Sequence, residues 1–398
     1  MISSEYHLSA ETQILLFCAR THLDADEQAT LQKLVARPNL EWSRFMQSAV
    51  RHGVVPMVYT RLKALSLSEM PLEIWAELEK RYHAIVFRNL RLGGELVRLE
   101  KIFAAEGINA AWFKGPVLAR QVYSNVTFRE CSDLDVLIPR ERADDVNRVL
   151  LNQGYRPLYD LTTHRQQQLH EKISNEHCFV NSQNIFVDVH WALTESIYSF
   201  SNRGYLATRN VELLGRQVVT FDVTDTLCYL CYHASKHGWA LLRWVCDIAE
   251  LIRCNPELDW DFLMTSERLP IGTPRMLRLG LILAHSGLAA PLPEAVRTWA
   301  VSDRKAVSMG RAILQFGAIS TTKFPSLIYV STMDSISDRL RYWIRPVVRP
   351  SALELEVVTL PRFLFFLYIP LRYIRLIKKY SGQIPFFRRT KSRFSSTA

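Results

Sequence analysis

Residues 131–138 read CSDLDVLI and residues 186–191 read FVDVHW. Each is a short apolar run broken by acids, and aspartate is a poor choice for the middle of a strand. Side chains two apart on a strand share a face. Asp133 and Asp135 therefore project together, while Leu134 and Val136 turn toward a core. Asp188 and His190 share one face of the second run, with Val187, Val189 and Trp191 on the other. Three carboxylates on one sheet face repel one another and lose hydration. A hard divalent cation among them removes that cost, and Mg²⁺ takes carboxylate oxygens together with substrate phosphates. Mg²⁺, or Mn²⁺ in its place, is the expected cofactor, with Asp133, Asp135 and Asp188 as catalytic and metal-holding residues. Two such ions can activate an attacking oxygen and neutralise a departing pyrophosphate. By itself a D-x-D pair is a weak sign, because acids also blunt exposed sheet edges.

The segment upstream strengthens the reading. Residues 108–113, INAAWF, are expected to form a strand, and KGPVLARQVY returns to helical spacing. Gly115 is expected at the helix N-cap and Pro116 at the first helical position, where a missing N–H costs nothing. A helix start of this kind offers free N–H groups and a positive dipole end to an anion. Lys114 adds a charge at the same place. Lys114 and Gly115 are accordingly expected to bind a nucleotide's phosphates.

Working outward, the chain of 398 residues is expected to be α+β. Residues 1–105 read as an N-terminal helical region, 106–224 as a small mixed α/β core, and 225–330 as a helical module. Residues 331–398 read as a basic, aromatic-rich tail. Within the core, strands are expected at 108–113, 131–138, 185–193 and 217–223, with an amphipathic helix over 140–153 stopped by Gly154.

Composition sets further bounds. The chain is 48% hydrophobic and 22% charged, which is ordinary for a globular protein. The opening MISSEYHLSAETQ has no apolar core and is not expected to act as a signal peptide. Seven scattered cysteines fit a reducing compartment better than a disulfide framework, so a cytoplasmic location is expected. Net charge is +10, but nine of the cations lie after Glu356, where no acid follows. The rest of the chain is close to neutral, so its basicity does not argue for nucleic-acid binding. For the tail, LPRFLFFLYIPLRYIRLIKKY reads either as a helix covering the body or as peripheral attachment to an anionic membrane. The following GQIPFFRRTKSRFSSTA is expected to be disordered.

In order, FKGPVLARQVY, then R-x-x-SDLDVLI, then a helix ending in GYRP, then VDVHW resembles the uncharacterised nucleotidyltransferase family. That family belongs to the DNA polymerase β-type superfamily. HASKHGWALLRWVCDIAELI and LDW are similar to its downstream segment, so the resemblance spans about residues 40–265. It implies a polymerase β-like core in which Asp133 and Asp135 bind metals and Asp188 completes the triad. The superfamily holds the triphosphate with a Gly-Ser pair, and this chain departs from it with Lys114-Gly115-Pro116.

Other residues carry two readings each. Arg129, four residues before Asp133, either approaches a phosphate or rests on solvent beside the neighbours of Glu130. His190 either orients a carboxylate, contacts a phosphate or moves a proton, or is a structural histidine. Lys236 and His237 face the nucleotide or simply pack. His233 and His237 lie four apart, but Ala234 stands where a zinc H-E-x-x-H has its glutamate. Cys228 and Cys231 read as buried thiols, Asp247 as a partner for Arg243, and Trp239, Trp244 and Trp260 as core.

Together these point to a metal-dependent transfer of a nucleoside monophosphate from a nucleoside triphosphate to an acceptor hydroxyl. The acceptor is a small molecule, a sugar, a peptide or a protein. The alternatives are a toxin or protein-modifying enzyme using the same site, and an inactive nucleotide-binding scaffold within a biosynthetic gene set.

Overall fold

In the computed structural model, residues 8–65, 70–159, 174–200, 206–265, 269–315, 325–348 and 360–380 are described. One mixed sheet carries both acid-bearing runs. Its strands are β1 (Ala111–Trp112), β2 (Leu134–Leu137), β3 (Tyr155–Pro157), β4 (Glu176–Asn181) and β5 (Phe186–His190), in spatial order β1-β2-β5-β4-β3. β2 and β5 are parallel, and the other pairings are antiparallel. Leu134, Val136, Val187 and Val189 turn to one face and are buried. Burying each such side chain is worth about 1.5–3 kcal/mol, which helps offset the acids held on the opposite face.

The core behind the sheet is completed by Leu92, Leu96, Leu99 and Phe103 from the 34-residue helix Leu72–Ala105. Phe103 stacks on Trp112, whose indole Nε1 donates to Glu100 Oε2 at 2.6 Å. A separate hairpin, β6 (Thr208–Leu213) and β7 (Arg216–Phe221), packs beside β1. Its two-residue turn, Leu214-Gly215, has both φ angles positive, as tight hairpin turns require. A larger core runs from Leu8 through Met333 and joins N-terminal helices to those after Asp222. Cys228 and Cys231 are buried in it, as are Trp239 and Trp244.

Some expected elements come out differently. The strand over 108–113 shrinks to β1, and the helix over 140–153 begins as a 3-10 turn at Arg140–Arg142 before Ala143–Asn152. Gly154 does follow it with φ +79°, a conformation glycine adopts without penalty. β3, β4 and β6 were not anticipated from the pattern. The first is short and the others begin with polar residues, so their apolar periodicity is weak.

In the tail, Tyr368 is fully buried, and the 3-10 segment Arg362–Leu367 runs directly into the helix Tyr368–Tyr380. The segment GQIPFFRRTKSRFSSTA lies outside the described residues.

Candidate metal and nucleotide site

The β2–β5 ladder sets Asp135 directly opposite Asp188. Because the strands are parallel and in this register, both carboxylates emerge on the face away from the valines. Cys178 of β4 stands opposite Asp188, and Glu176 opposite His190. Ligand atoms of Asp135, Asp188 and His190 lie within 4.8 Å of one another, and this is the one such group among the described residues. Asp133 precedes β2, is half-buried at the cavity wall, and accepts from Ser132 Oγ at 3.0 Å. The structure thus draws His190, rather than Asp133, into the tightest cluster.

Asp135 is 2% exposed and already has a cation beside it. Lys114 Nζ donates to Asp135 Oδ1 at 2.7 Å, and His190 Nε2 lies 3.2 Å from the same oxygen. Burial alone would raise the Asp135 carboxyl, but Lys114 and then His190 outweigh it and hold the group well below the usual carboxylate range. Burial likewise works against the Lys114 ammonium, and Asp135 outweighs it, so Lys114 stays charged. The second oxygen, Asp135 Oδ2, is buried with no hydrogen-bond partner. A buried carboxylate oxygen without a donor is costly. It marks a place where a cation or a donor belongs.

The other acids show the strain of crowding. Burial, and then the charge of Asp135, pushes the Asp188 carboxyl up to about 6. The same two causes in the same order raise Asp133. His190 is 7% exposed, with its Nδ1 3.1 Å from Glu176 Oε2. A carboxylate on one ring nitrogen fixes the imidazole and directs the other nitrogen toward the cluster, as at many metal centres. Phe113 supports the ring edge-on at 5.2 Å.

The helix Gly115–Tyr123 starts beside this cluster, with Lys114 at its cap and Pro116 second, one place later than expected. Gly115 has φ +57°, and a Cβ there would stand 2.9 Å from the Asp133 carbonyl oxygen. Only glycine fits so close an approach in that conformation. The loop leading to β2 is held from behind by Asn89, which is wholly buried. Its Nδ2 donates to the Val126 and Arg129 carbonyls at 2.8 and 2.6 Å, and its Oδ1 accepts from Cys131 N at 3.2 Å.

Arg129 reaches the cavity wall, but its guanidinium is bound to an acid rather than resting on solvent. It is 7% exposed, and its Nε lies 3.1 and 3.0 Å from the two oxygens of Asp247, which is wholly buried. Burial opposes the guanidinium charge, but Asp247 outweighs it. Asp247 is therefore the partner of Arg129 and not chiefly of Arg243; Tyr123 Oη also donates to it, at 3.1 Å. Arg243 instead donates to the Glu130 carbonyl at 3.4 Å and packs beneath Gly53. These contacts lock the helix Leu242–Cys254 to the loop that presents the acids.

The cluster opens onto one cavity of about 740 Å³, which Arg129 and Arg243 also line. Asp133, Asp135, Asp188, Lys114 and His190 are on its wall, with Lys236 and His237 across from the helical module. Gly115 is not on the wall itself. His233 and His237 pack on Trp244 at 5.3 and 5.5 Å, with no third ligand atom for a zinc site among the described residues. Sequence reasoning missed Glu176, Tyr229 and Arg345, which also face the cavity. Glu176 was within reach: NSQN at 181–184 is a turn between two apolar runs, and a hairpin there sets Glu176 opposite His190. Arg345 pairs with Glu195, and no local pattern announces it.

Comparison with known proteins adds the following. A family model described as "Uncharacterised nucleotidyltransferase" matches residues 38–289. No curated protein matches the chain. Among solved structures, an antigenic nucleotidyltransferase-like protein from Paracoccidioides brasiliensis is similar at 14% identity and a TM-score of 0.34, over 52% of this chain and 95% of that one. The resemblance read over residues 40–265 is borne out across a somewhat longer stretch. Since the family match covers more than half of its length, this chain belongs to the uncharacterised nucleotidyltransferase family.

Proposed function

We propose that the protein transfers a nucleoside monophosphate from a nucleoside triphosphate to an acceptor hydroxyl, releasing pyrophosphate. The observation that carries this reading is Asp135 opposite Asp188, with the unpartnered Asp135 Oδ2 buried between cavity and sheet. The residues fit a divalent cation. Two carboxylates suit Mg²⁺, and an imidazole nitrogen in the same group suits Mn²⁺ as well. Asp135 and Asp188 would hold the ion, with His190 beside them and Asp133 toward the cavity. When bound, such an ion helps activate the attacking oxygen and neutralises charge on the phosphates.

The chain's own groups supply the rest. Glu176 orients His190, and Phe113 limits its rotation. Lys114 now balances Asp135; once Asp135 is otherwise neutralised, its ammonium is available to a phosphate at the helix start. Lys236 and Arg243 give the opposite wall a basic character that suits a polyphosphate, while burial keeps His237 beside them neutral. The acceptor offers a hydroxyl, whether on a small molecule, a sugar, a peptide or a protein.

Calorimetric titration of ATP, GTP, CTP and UTP, each with Mg²⁺ or Mn²⁺, tests this. At least one nucleotide is expected to bind wild type only with metal, and Asp188→Asn is expected to weaken it at least about tenfold. Failure of every nucleotide to bind folded wild type would contradict the reading.

A further inference from the structure

The helix Ile336–Val348 carries a row of apolar side chains left exposed among the described residues. Ile336, Leu340, Trp343 and Ile344 are 71%, 57%, 51% and 52% exposed. Their spacing puts them on one arc about 100° wide, the width of a face meant for burial. On the helix Tyr368–Tyr380, Tyr373, Ile374 and Ile377 are exposed as well.

Neither helix is free to turn these faces inward. Asp338, on the other side of the first, is 1% exposed and accepts from Ser199 N at 2.9 Å. Arg345 and Arg372 line the cavity of the candidate site, and Tyr368 is buried. The exposed apolar faces are therefore held outward by contacts on the opposite faces of the same helices.

Charge distinguishes among the surfaces that could cover them. Arg339 and Arg341 flank the apolar arc, Arg341 also pairing with Asp338, and the nine cations after Glu356, of which Arg372 lines the cavity, have no acid among them. A second copy of the chain would bring the same cations against their like, which is repulsive. A nucleic acid would leave isoleucine and leucine facing water, because its readout of basic segments uses phosphate and stacked bases. An anionic bilayer surface satisfies both features at once: aliphatic and aromatic side chains enter the headgroup boundary while cations meet lipid charge. No described helix is long and apolar enough to cross a membrane, so contact would be in the interface plane. We propose that the helices Ile336–Val348 and Tyr368–Tyr380 dock the protein on an anionic lipid surface. The proposal is independent of the chemistry in the cavity.

Co-sedimentation of the full chain with vesicles tests it. Vesicles of phosphatidylcholine alone are compared with vesicles containing about 30% phosphatidylglycerol, at about 0.1 M and about 0.5 M salt. The protein is expected to pellet with the anionic vesicles only, and less at the higher salt. Leu340→Glu/Trp343→Glu/Ile344→Glu is expected to reduce the pelleted fraction at least about tenfold. The single change Trp343→Glu, measured beside it, should reduce pelleting in the same direction, and circular dichroism checks that both variants fold. Wild type that stays in the supernatant with anionic vesicles would overturn the proposal, as would pelleting unchanged in the folded variants. A wild-type dimer without vesicle binding, broken by the same changes, would instead assign the face to contact between copies.

Discussion

Asp135→Asn is expected to weaken metal-dependent nucleotide binding about a hundredfold or more, the upper range seen when even supporting residues of a metal centre are lost. The change also strands Lys114. Its side chain is 14% exposed, and the ammonium sits 2.7 Å from the Asp135 oxygen. Removing one member of a buried ion pair typically costs about 3–5 kcal/mol, because the remaining charge is left uncompensated. Loss of binding could then reflect loss of fold. Asp135→Asn/Lys114→Met separates the two effects: with both charges gone, urea denaturation is expected to return close to wild type while nucleotide binding stays lost. If the double variant recovers binding, Asp135 holds no metal.

The second large effect lies behind the site. Asp247→Ala leaves the Arg129 guanidinium buried without its carboxylate, and Tyr123 without an acceptor. Unfolding free energy is expected to fall by about 3–5 kcal/mol. Replacing both partners by apolar residues, as in Arg129→Met/Asp247→Leu, should restore most of that, since a well-packed apolar pair is often as stable as a buried ionic one. An Asp247→Ala variant with a wild-type urea midpoint would show that the pair does not tie the helical module to the acid-bearing loop.

The parts of this site that were legible in sequence are those with a local period. Alternation about Leu134 and Val136, and about Val187 and Val189, places Asp135 and Asp188 on one face, and the parallel register confirms the facing pair. The same period puts Asp133 on that face, but β2 begins only at Leu134, and Asp133 stands outside the tight cluster. Gly115 was legible as the start of a helix, though not why glycine alone fits against the Asp133 carbonyl. That requires knowing how the helix start and the β2 approach cross in space.

Long-range pairings left no local mark. Arg129 and Asp247 are 118 positions apart, and Asn89 reaches 40 residues on to the Arg129 carbonyl. Asn89 sits in a helix whose period reads as ordinary packing, and a lone buried asparagine there has no pattern of its own. Lys114 was expected to face a phosphate, and in the structure its charge lies on Asp135. The contact is electrostatic: burial strengthens the repulsion among the gathered acids, and the nearest ammonium is drawn in.

The most direct measurement is crystallographic: crystals of the wild-type protein soaked with Mn²⁺ and a non-hydrolysable nucleoside triphosphate, with anomalous scattering recorded. An anomalous peak is predicted between Asp135 and Asp188, at about 2.0–2.3 Å from their carboxylate oxygens, with Lys114 released from Asp135 toward the phosphates. Nucleotide in the cavity with no metal peak, and Lys114 still on Asp135, would contradict the account.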